Sequence, residues 1–421
     1  MNEQSPYRRL VTYAERITHT DLEYLFTNGF WLTLSQIGIA LTAFVLSIAF
    51  AHFVTKDTYG TYRYLLSIFW TLTAFSLTGL PTAMARAIAR GEDGAYVESF
   101  WLSLIWSWPM VLISLGLAGY YYLHGNQMLT IGALIIAFIG PFMQSTYLFG
   151  SFLEGKKAFK TSAITGIILN VVPALALLIT MFFTKNPLIY LGVYLVGNAG
   201  TAAVISIVVY MKLKTNTKKS EKLLTLGGHF SAMNILATIA GQIDRLLVYH
   251  YLGAAELAIY TFATAMPDQV KNVFNNVAIL AFPKFAKRPL SEIKTTLNYR
   301  LFGFMGLMVL VTIAYIILAP LVFHILFPAY AASIVYSQLY ALGLIAIGSI
   351  IPVAVLQAHA ANRELYVFNT VSSVFQIGIL FPAITMFGLV GIVVARIISR
   401  FFNLILLEIL LSFPLTKPTS S

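Results

Sequence analysis

The chain contains no cysteine and few charged residues. Asp, Glu, Lys and Arg make up only 10% of its 421 residues, whereas 58% are hydrophobic. A soluble domain usually carries about 25% charged residues, so this composition excludes an ordinary soluble fold and indicates a polytopic membrane protein. The absence of cysteine excludes disulfides, thiolate metal sites and cysteine nucleophiles.

The chain also lacks the motifs of the common nucleotide-dependent and hydrolytic enzymes. It contains no P-loop, no GxSxG elbow and no dinucleotide-binding fingerprint. His52, His250, His324 and His359 lie near predicted helix ends, and no pair has the spacing of metal ligands on one helix. We therefore expect a transporter rather than an enzyme, with no cofactor and no metal. An ion gradient, the membrane potential or consumption of the substrate would then drive transport.

Hydrophobic runs long enough to cross a bilayer recur along the whole sequence. They predict an all-α integral membrane protein with about twelve transmembrane helices. The predicted spans are 30–54, 62–84, 101–122, 128–150, 162–183, 188–211, 229–251, 257–282, 301–326, 331–357, 367–387 and 389–413.

Lysine and arginine are distributed unevenly between the loops that join these spans. If the N-terminus is cytoplasmic, nearly all the basic loop residues lie on the cytoplasmic side, and only Lys56, Arg63 and Lys185 lie on the other. Because Lys and Arg accumulate in cytoplasmic loops, we predict that both termini are cytoplasmic. The basic stretch Lys212 to Lys222 is then a solvated cytoplasmic loop rather than a nucleic-acid patch, and we expect no nucleic-acid partner.

This basic stretch divides the predicted spans into two groups of six. We therefore predict five regions along the chain, the linker being flexible. They are a cytoplasmic amphipathic segment (1–29), an N-lobe (30–211), a basic cytoplasmic linker (212–224), a C-lobe (225–413) and a cytoplasmic tail (414–421).

Two short segments indicate an internal duplication. Phe53 to Tyr62 and Tyr251 to Tyr260 align without gaps, and each joins the first and second spans of its half through a tight turn. Residues 155–159 and 362–366 form a second similar pair at matching positions. Because each half holds an even number of spans, the two six-helix lobes would have the same orientation and form a parallel repeat around a central cavity.

Ionisable residues inside the spans are candidates for function, because a charge in the membrane is costly unless it faces protein, water or a partner. Asp244 and Arg245 lie side by side in the seventh span. Asp244 could bind a coupling ion or a sugar hydroxyl, or it could pair with a base on another helix. Arg245 could bind a phosphate or extend to the membrane interface.

The eighth span carries a polar face. Asp268, Lys271, Asn272 and Asn275 have the spacing of one helical face, and Pro267 precedes them. We expect this face to border an aqueous cavity, with Asp268 as a second ion-coupling candidate, although packing against another helix is the alternative. Pro267 could act as a hinge.

Three further arginines are candidate ligands for an anionic head group. Arg396 and Arg400 lie one turn apart in the last span, and no acid stands at a matching height in the sequence. They could clamp a diphosphate, or serve a structural role. Arg86, near the cytoplasmic end of the second span, could receive a head group or act as an ordinary cytoplasmic anchor.

The junction of the seventh and eighth spans resembles a known family. Asp244-Arg245-Leu-Leu followed by Leu252-Gly253-x-x-Glu256-Leu-Ala-Ile-Tyr260 is similar to the signature of the polysaccharide-transport family, within the multidrug/oligosaccharidyl-lipid/polysaccharide exporter (MOP) superfamily. The segments 281–285 and 79–86 resemble other motifs of that family, whereas Ala258 stands where the family usually has glycine. The resemblance implies a V-shaped pair of lobes and export of lipid-linked glycans by alternating access.

We therefore expect a flippase for a polyprenyl-diphosphate-linked oligosaccharide, with the lipid-linked glycan and membrane lipids, and other polysaccharide-assembly proteins, as partners. A cation-coupled multidrug exporter is the second interpretation, but the spans contain more bases than acids. A membrane glycosyltransferase or polymerase would need a large loop that the chain lacks. A pure scaffold would leave the polar faces of spans eight and twelve unexplained.

Overall fold

The computed structural model describes residues 22–220, 223–286, 290–359 and 361–412. Within these ranges the chain is helical and contains no β-strand. Most of the predicted amphipathic segment 1–29 and the predicted tail 414–421 lie outside the described residues.

The helices confirm the predicted all-α membrane architecture. By length and apolar composition, nine described helices can cross a membrane, and a bent pair makes a tenth. Asn362–Ser412 contains two spans, because Gly388 breaks it with a φ of 56° that favours glycine. Ala254–Ala286 is long enough to cross as well, although it carries the polar face. Each of the twelve predicted spans therefore corresponds to a helix or to a pair of shorter helices.

The twelve spans are numbered in chain order. They are Leu22–Phe53; Lys56–Leu72 with Leu80–Ala89; Ala95–Ile105 with Trp108–Leu123; Gln127–Thr146 with Phe149–Gly155; Phe159–Phe183; Pro187–Leu213; Leu223–Ala240 with Ile243–Leu252; Ala254–Ala286; Leu290–Leu326; Ser333–Ala341 with Ile350–Ala358; and the two parts of Asn362–Ser412 on either side of Gly388.

Several spans are broken, which the hydrophobic pattern did not predict. Span 2 bends by 59° between its two helices, and its second helix begins with Pro81 in the first turn. The second helix of span 3 also begins with a proline, Pro109. Proline is favoured at such positions because its missing N–H needs no partner in the first turn of a helix.

The two lobes meet closely where the duplicated turns lie. We call this the junction end; it holds residues 54–55 and Gly253, whose φ of 91° allows the turn. Gly60 packs directly on the second lobe: a Cβ added there would lie 1.8 Å from the carbonyl oxygen of Ala254. The rings of Tyr64 and Tyr249 stack with centroids 3.7 Å apart. The two aligned segments are thus part of the interface between the lobes.

Aromatic side chains from both lobes close the junction end. Tyr59 of span 2 contacts Phe262 of span 8, with centroids 5.2 Å apart. Phe262 contacts Phe327 and Tyr330 at 5.3 and 3.9 Å, and Phe327 in turn meets Phe44 of span 1 at 6.3 Å. This cluster therefore joins the two lobes on that side.

The linker is held against the N-lobe at the opposite end, which we call the linker end and which holds residues 90–94, 156–158 and 214–220. The Lys156 Nζ lies 2.7 Å from each oxygen of the fully buried Asp93 carboxylate. The backbone N–H and the hydroxyl of Thr215 both donate to Asp93 Oδ2 at 2.7 Å. Burial raises the pKa of Asp93, but these bonds outweigh it and hold the pKa below its ordinary value.

Further bonds continue along the linker. Asn216 accepts from the backbone N–H of Asp93 at 3.2 Å, and its amide donates to the carbonyl of Gly91 at 3.0 Å. The backbone N–H of Ser220 donates to Glu98 Oε2 at 3.4 Å. In contrast to the flexible linker expected from its composition, residues 215–220 are fixed to the N-lobe by specific bonds.

We expect Asp93→Asn to release this part of the linker, because the neutral amide cannot replace a buried carboxylate that is paired with Lys156 and accepts two bonds from Thr215. Trypsin should then cleave after Lys218 or Lys219 at least about tenfold faster, as charge-assisted bonds are worth about 1.5–3 kcal/mol each. Time-resolved proteolysis with mass spectrometry measures the rate.

Glu154→Gln is the matched control, because Glu154 is an exposed carboxylate whose side chain forms no ion pair or hydrogen bond with the described linker residues 214–220. Equal cleavage rates in the two variants would contradict the role given to Asp93.

Candidate functional site

A cavity of ≈ 340 Å³ lies between the two lobes. Spans 1, 2 and 6 form one wall and spans 7 and 8 form the other. Its lining residues are Ala43, Leu46, Ser47, Phe50, Tyr59, Tyr62, Arg63, Leu66, Ser67, Trp70, Tyr194, Gln242, Arg245, Thr261, Thr264, Ala265, Asp268 and Gln269.

Each lobe contributes one arginine to this cavity, and each arginine has unused hydrogen-bonding capacity. The Nε atoms of Arg63 and Arg245 are buried, and neither has a hydrogen-bond partner in the described part of the chain. Arg245 donates from Nη1 to Gln242 Oε1 at 2.8 Å. A buried donor without a partner costs roughly 1–3 kcal/mol, so an anion that entered the cavity would recover part of that cost.

The prediction for Arg245 as a cavity residue agrees with this placement, whereas Arg63 was missed. We counted Arg63 with the outward loop residues because it is the second residue of the predicted span 62–84. The helix begins instead at Lys56, after Thr55, whose hydroxyl accepts from the backbone N–H of Thr58. This capping pattern was visible in the sequence and could have placed Arg63 two turns inside the span.

The N-lobe wall of the cavity is both aromatic and polar. Phe50 and Tyr62 stack with centroids 5.4 Å apart, and Tyr62 packs edge-on against Tyr194 at 6.4 Å. Trp70 and the hydroxyl of Ser67 complete this wall. Such a surface offers flat apolar faces together with hydroxyl groups.

Asp244 does not line the cavity; it pairs with a base on another helix. Nη2 and Nε of Arg396 lie 2.8 and 2.9 Å from Asp244 Oδ2. Tyr260 donates its hydroxyl to the same oxygen at 2.5 Å. The Asp244 side chain is only 2% exposed. Of the two roles left open for Asp244, the structure supports that of a structural partner.

A second ion pair joins spans 8 and 12 beside the cavity. Arg400 Nη2 donates to Asp268 Oδ1 at 2.9 Å. Tyr340 donates to the same carboxylate at 3.2 Å and accepts from Arg400 Nη2 at 2.6 Å, so the three groups form a closed triangle. The guanidinium also lies over the Tyr340 ring, 4.3 Å from its centroid. The Asp268 side chain is 34% exposed and lines the cavity.

The expectation that no acid stands opposite Arg396 and Arg400 was wrong. Asp244 and Asp268 are far away in sequence, and only the packing of span 12 against spans 7 and 8 brings them together with these arginines. The two arginines therefore do not form a free clamp for a diphosphate in this conformation.

The other residues of the polar face have different surroundings. Lys271 is partly buried and makes no hydrogen bond or ion pair with any residue that the structure describes. Asn272 is exposed, and the side chain of Asn275 lies outside the described part of the chain. The helix Ala254–Ala286 continues through Pro267, and the hinge there stays a prediction.

Arg86 lies away from the cavity, at the linker end. Its side chain is exposed, and its guanidinium carbon is 5.0 Å from the ring centroid of Phe230 in span 7. This cation–π contact joins the two lobes but leaves Arg86 outside the cavity lining. A role in receiving a head group therefore stays a prediction.

We expect Asp244→Asn to reduce the free energy of unfolding by about 3–5 kcal/mol, because it leaves the Arg396 guanidinium buried without a counter-charge. Thermal unfolding in nanodiscs measures the loss. Glu154→Gln, at an exposed position, should change the stability by less than about 0.5 kcal/mol. The double variant Asp244→Leu/Arg396→Met should recover most of the loss, and failure to do so would contradict a mainly structural role.

Comparisons with known proteins agree with this architecture. Residues 25–288, more than half of the chain, match the family described as "Polysaccharide biosynthesis protein". A search of curated proteins found no match.

Several solved transporters have a similar fold. An inward-facing multidrug-resistance MATE transporter of the MOP superfamily has a TM-score of 0.62 at 14% identity, over 91% of this chain and 94% of the other. The lipid II flippase MurJ has a TM-score of 0.60 at 13% identity, over 92% and 88%. A MOP-superfamily transporter from Pyrococcus furiosus has a TM-score of 0.58 at 13% identity, over 90% and 94%.

These identities support a shared fold only, whereas the family match covers most of the N-lobe, the linker and the first two spans of the C-lobe. The multi-pass helical architecture with two lobes agrees with both. The chain belongs to the family described as "Polysaccharide biosynthesis protein", and it shares its fold with transporters of the MOP superfamily.

Proposed function

We propose that this protein flips a polyprenyl-diphosphate-linked oligosaccharide across the cytoplasmic membrane of a bacterium or archaeon, for the biosynthesis of a cell-surface polysaccharide. Membership of the polysaccharide biosynthesis family supports a flippase or exporter. The substrate class rests on the chemistry of the cavity between the lobes.

The observation that carries the proposal is the pair of arginines in that cavity. Arg63 and Arg245 come from different lobes, and each has a buried Nε–H without a partner. Guanidinium groups bind phosphate oxygens with paired, charge-assisted hydrogen bonds. A diphosphate can engage two guanidinium groups, so it is a suitable bridge between the lobes.

The N-lobe wall of the cavity also suits a sugar. Tyr62, Tyr194 and Trp70 present aromatic faces, on which the C–H faces of a pyranose ring can stack. The hydroxyls of Ser47 and Ser67 donate to backbone carbonyls of their own helices, so they can accept hydrogen bonds from the sugar hydroxyls. The lipid tail would remain in the bilayer, where the membrane lipids are its partners. Proteins that assemble or polymerise the glycan on either side would be further partners.

Alternating access follows from the arrangement of the lobes. The aromatic cluster around Phe262 closes the junction end. Rocking of residues 1–211 against 225–421 would separate that cluster and open the cavity at the junction end.

The second candidate is a cation-coupled multidrug exporter, which the shared MATE fold favours. Such a transporter would need an acidic cavity for small organic cations. The charged residues that line this cavity are Arg63, Arg245 and Asp268, and Asp268 is already paired with Arg400. The balance of charge is therefore positive and favours an anionic substrate.

We expect Arg63→Gln/Arg245→Gln to slow flipping of a polyprenyl-diphosphate oligosaccharide by about 100-fold or more, because each change removes a charge-assisted bond worth about 1.5–3 kcal/mol. Flipping is measured in proteoliposomes with a fluorescent lipid-linked sugar, as the fraction accessible to an added glycosidase, with and without proton and sodium gradients.

Arg363→Gln is the matched control, since it removes one exposed arginine that lies outside the cavity lining. Unchanged flipping in the double variant would exclude the diphosphate assignment. Export of small cations by the wild-type protein, with no flipping, would favour the drug exporter.

The proposed orientation can be tested because the chain has no native cysteine, so each cysteine introduced is unique. In intact cells an impermeant maleimide should label Lys185→Cys, whereas Lys218→Cys should react only after permeabilisation. Both positions are exposed and lie at opposite ends of the bundle. The reverse pattern would overturn the prediction of cytoplasmic termini.

A further inference from the structure

The two ion pairs of span 12 differ in their access to the cavity, although they lie one turn apart. Asp244, which pairs with Arg396, is 2% exposed and does not line the cavity. Asp268, which pairs with Arg400, is 34% exposed and does line it. An anion in the cavity can therefore reach the Asp268 carboxylate but not that of Asp244. The side chains of Arg396 and Arg400 are 17% and 16% exposed, and neither lines the cavity in this conformation.

We propose that Asp268 is an exchangeable counter-ion of Arg400, and that a substrate phosphate can take its place there. The proposal rests on the function proposed above and assigns Arg400 and Tyr340 as a second phosphate subsite, next to Arg63 and Arg245. In the present conformation the carboxylate closes that subsite.

The geometry around Arg400 supports a built anion site. Asp268 accepts from both Arg400 Nη2 and the Tyr340 hydroxyl, so two donors converge on the volume that the carboxylate fills. A phosphate oxygen accepts the same hydrogen bonds as a carboxylate oxygen, and it would meet the same donors. The Tyr340 ring under the guanidinium holds that group in position.

Gly343 fixes the other side of the guanidinium. A Cβ at this position would lie 2.9 Å from Arg400 Cδ and 3.0 Å from Nη1. Nη1 is buried against this glycine and has no hydrogen-bond partner. Arg400 is therefore confined, and its exchangeable contact is the one from Nη2 to Asp268.

Lys271 is a second base next to Asp268 and Arg400. It lies close enough to Asp268 and Arg400 to interact electrostatically with both, yet forms no ion pair with any described residue. Asp268 alone therefore faces two bases. Release of Asp268 would leave Arg400 and Lys271 available together, which is the charge that a phosphate group requires.

Exchange has an energetic consequence for binding. A phosphate beside Asp268 is repelled by the carboxylate and must displace it to reach Arg400. Loss of the Asp268 charge should therefore strengthen the binding of a diphosphate, and it should do so through Arg400. Simple removal of a negative charge from the cavity wall would strengthen binding whether or not Arg400 is present.

The test uses geranyl diphosphate, a water-soluble prenyl diphosphate, and the full chain in nanodiscs, with affinity measured by calorimetry. Asp268→Asn should bind about tenfold more tightly than the wild type, which corresponds to about 1.4 kcal/mol. Asp268→Asn/Arg400→Gln should lose this gain. Asp268→Asn/Tyr340→Phe, which removes one donor to the phosphate and keeps the ring, should show a smaller gain than Asp268→Asn.

Asp57→Asn is the matched control, because Asp57 is an exposed carboxylate outside the cavity lining; its affinity should equal that of the wild type. Thermal unfolding shows whether each variant is folded, and Asp268→Asn/Tyr340→Phe supplies the answer if the Arg400 double variant is not, since an undiminished gain there would contradict the subsite. An unchanged affinity in Asp268→Asn would overturn the proposal, and so would a gain that persists without Arg400.

These outcomes are separable from failure of the proposed function. A slow Arg63→Gln/Arg245→Gln variant with no gain in Asp268→Asn would reject only the exchangeable counter-ion. Absence of diphosphate binding in every variant would reject both.

Discussion

The cost of holding a charge inside a membrane bundle determines how the second lobe is assembled. Span 12 carries Arg396 and Arg400, and both are mostly buried. Each would be strongly destabilising without an acid, because a buried ion needs a counter-charge and further hydrogen bonds. Asp244 of span 7 and Asp268 of span 8 supply the charges, and tyrosines complete both groups. The packing of spans 7, 8 and 12 is therefore fixed by electrostatic as well as apolar contacts.

The sequence predicted the spans well because membrane helices depend on local hydrophobicity, and it also placed the breaks at Gly253 and Gly388 near their observed positions. It predicted the site less well. Pairing of Asp244 with Arg396 depends on the packing of helices that are distant in sequence, which periodicity within one helix cannot reveal. Arg63 was missed for a local reason, since a polar first turn disguised the start of a helix.

The duplication repeats the scaffold but not the chemistry. Continuing the gap-free alignment of the two junctions places Leu46 opposite Asp244 and Trp70 opposite Asp268. Among the described residues, the ion pairs Asp244–Arg396 and Asp268–Arg400 therefore lie within the second lobe. The first lobe contributes an aromatic wall and one arginine to the cavity. A symmetric frame thus encloses an asymmetric site.

The bonded linker limits how the lobes can move. Ser220 is held by Glu98, and Leu223 begins span 7 and is buried beside the first lobe. Three residue steps connect these positions, so they can separate by no more than about 11 Å. Gly79 also donates its backbone N–H to Ser231 Oγ at 2.9 Å, which joins spans 2 and 7 close by. In the proposed rocking motion the two lobes would therefore pivot near the start of span 7. At that end of the bundle, the helices farthest from the pivot would move the most.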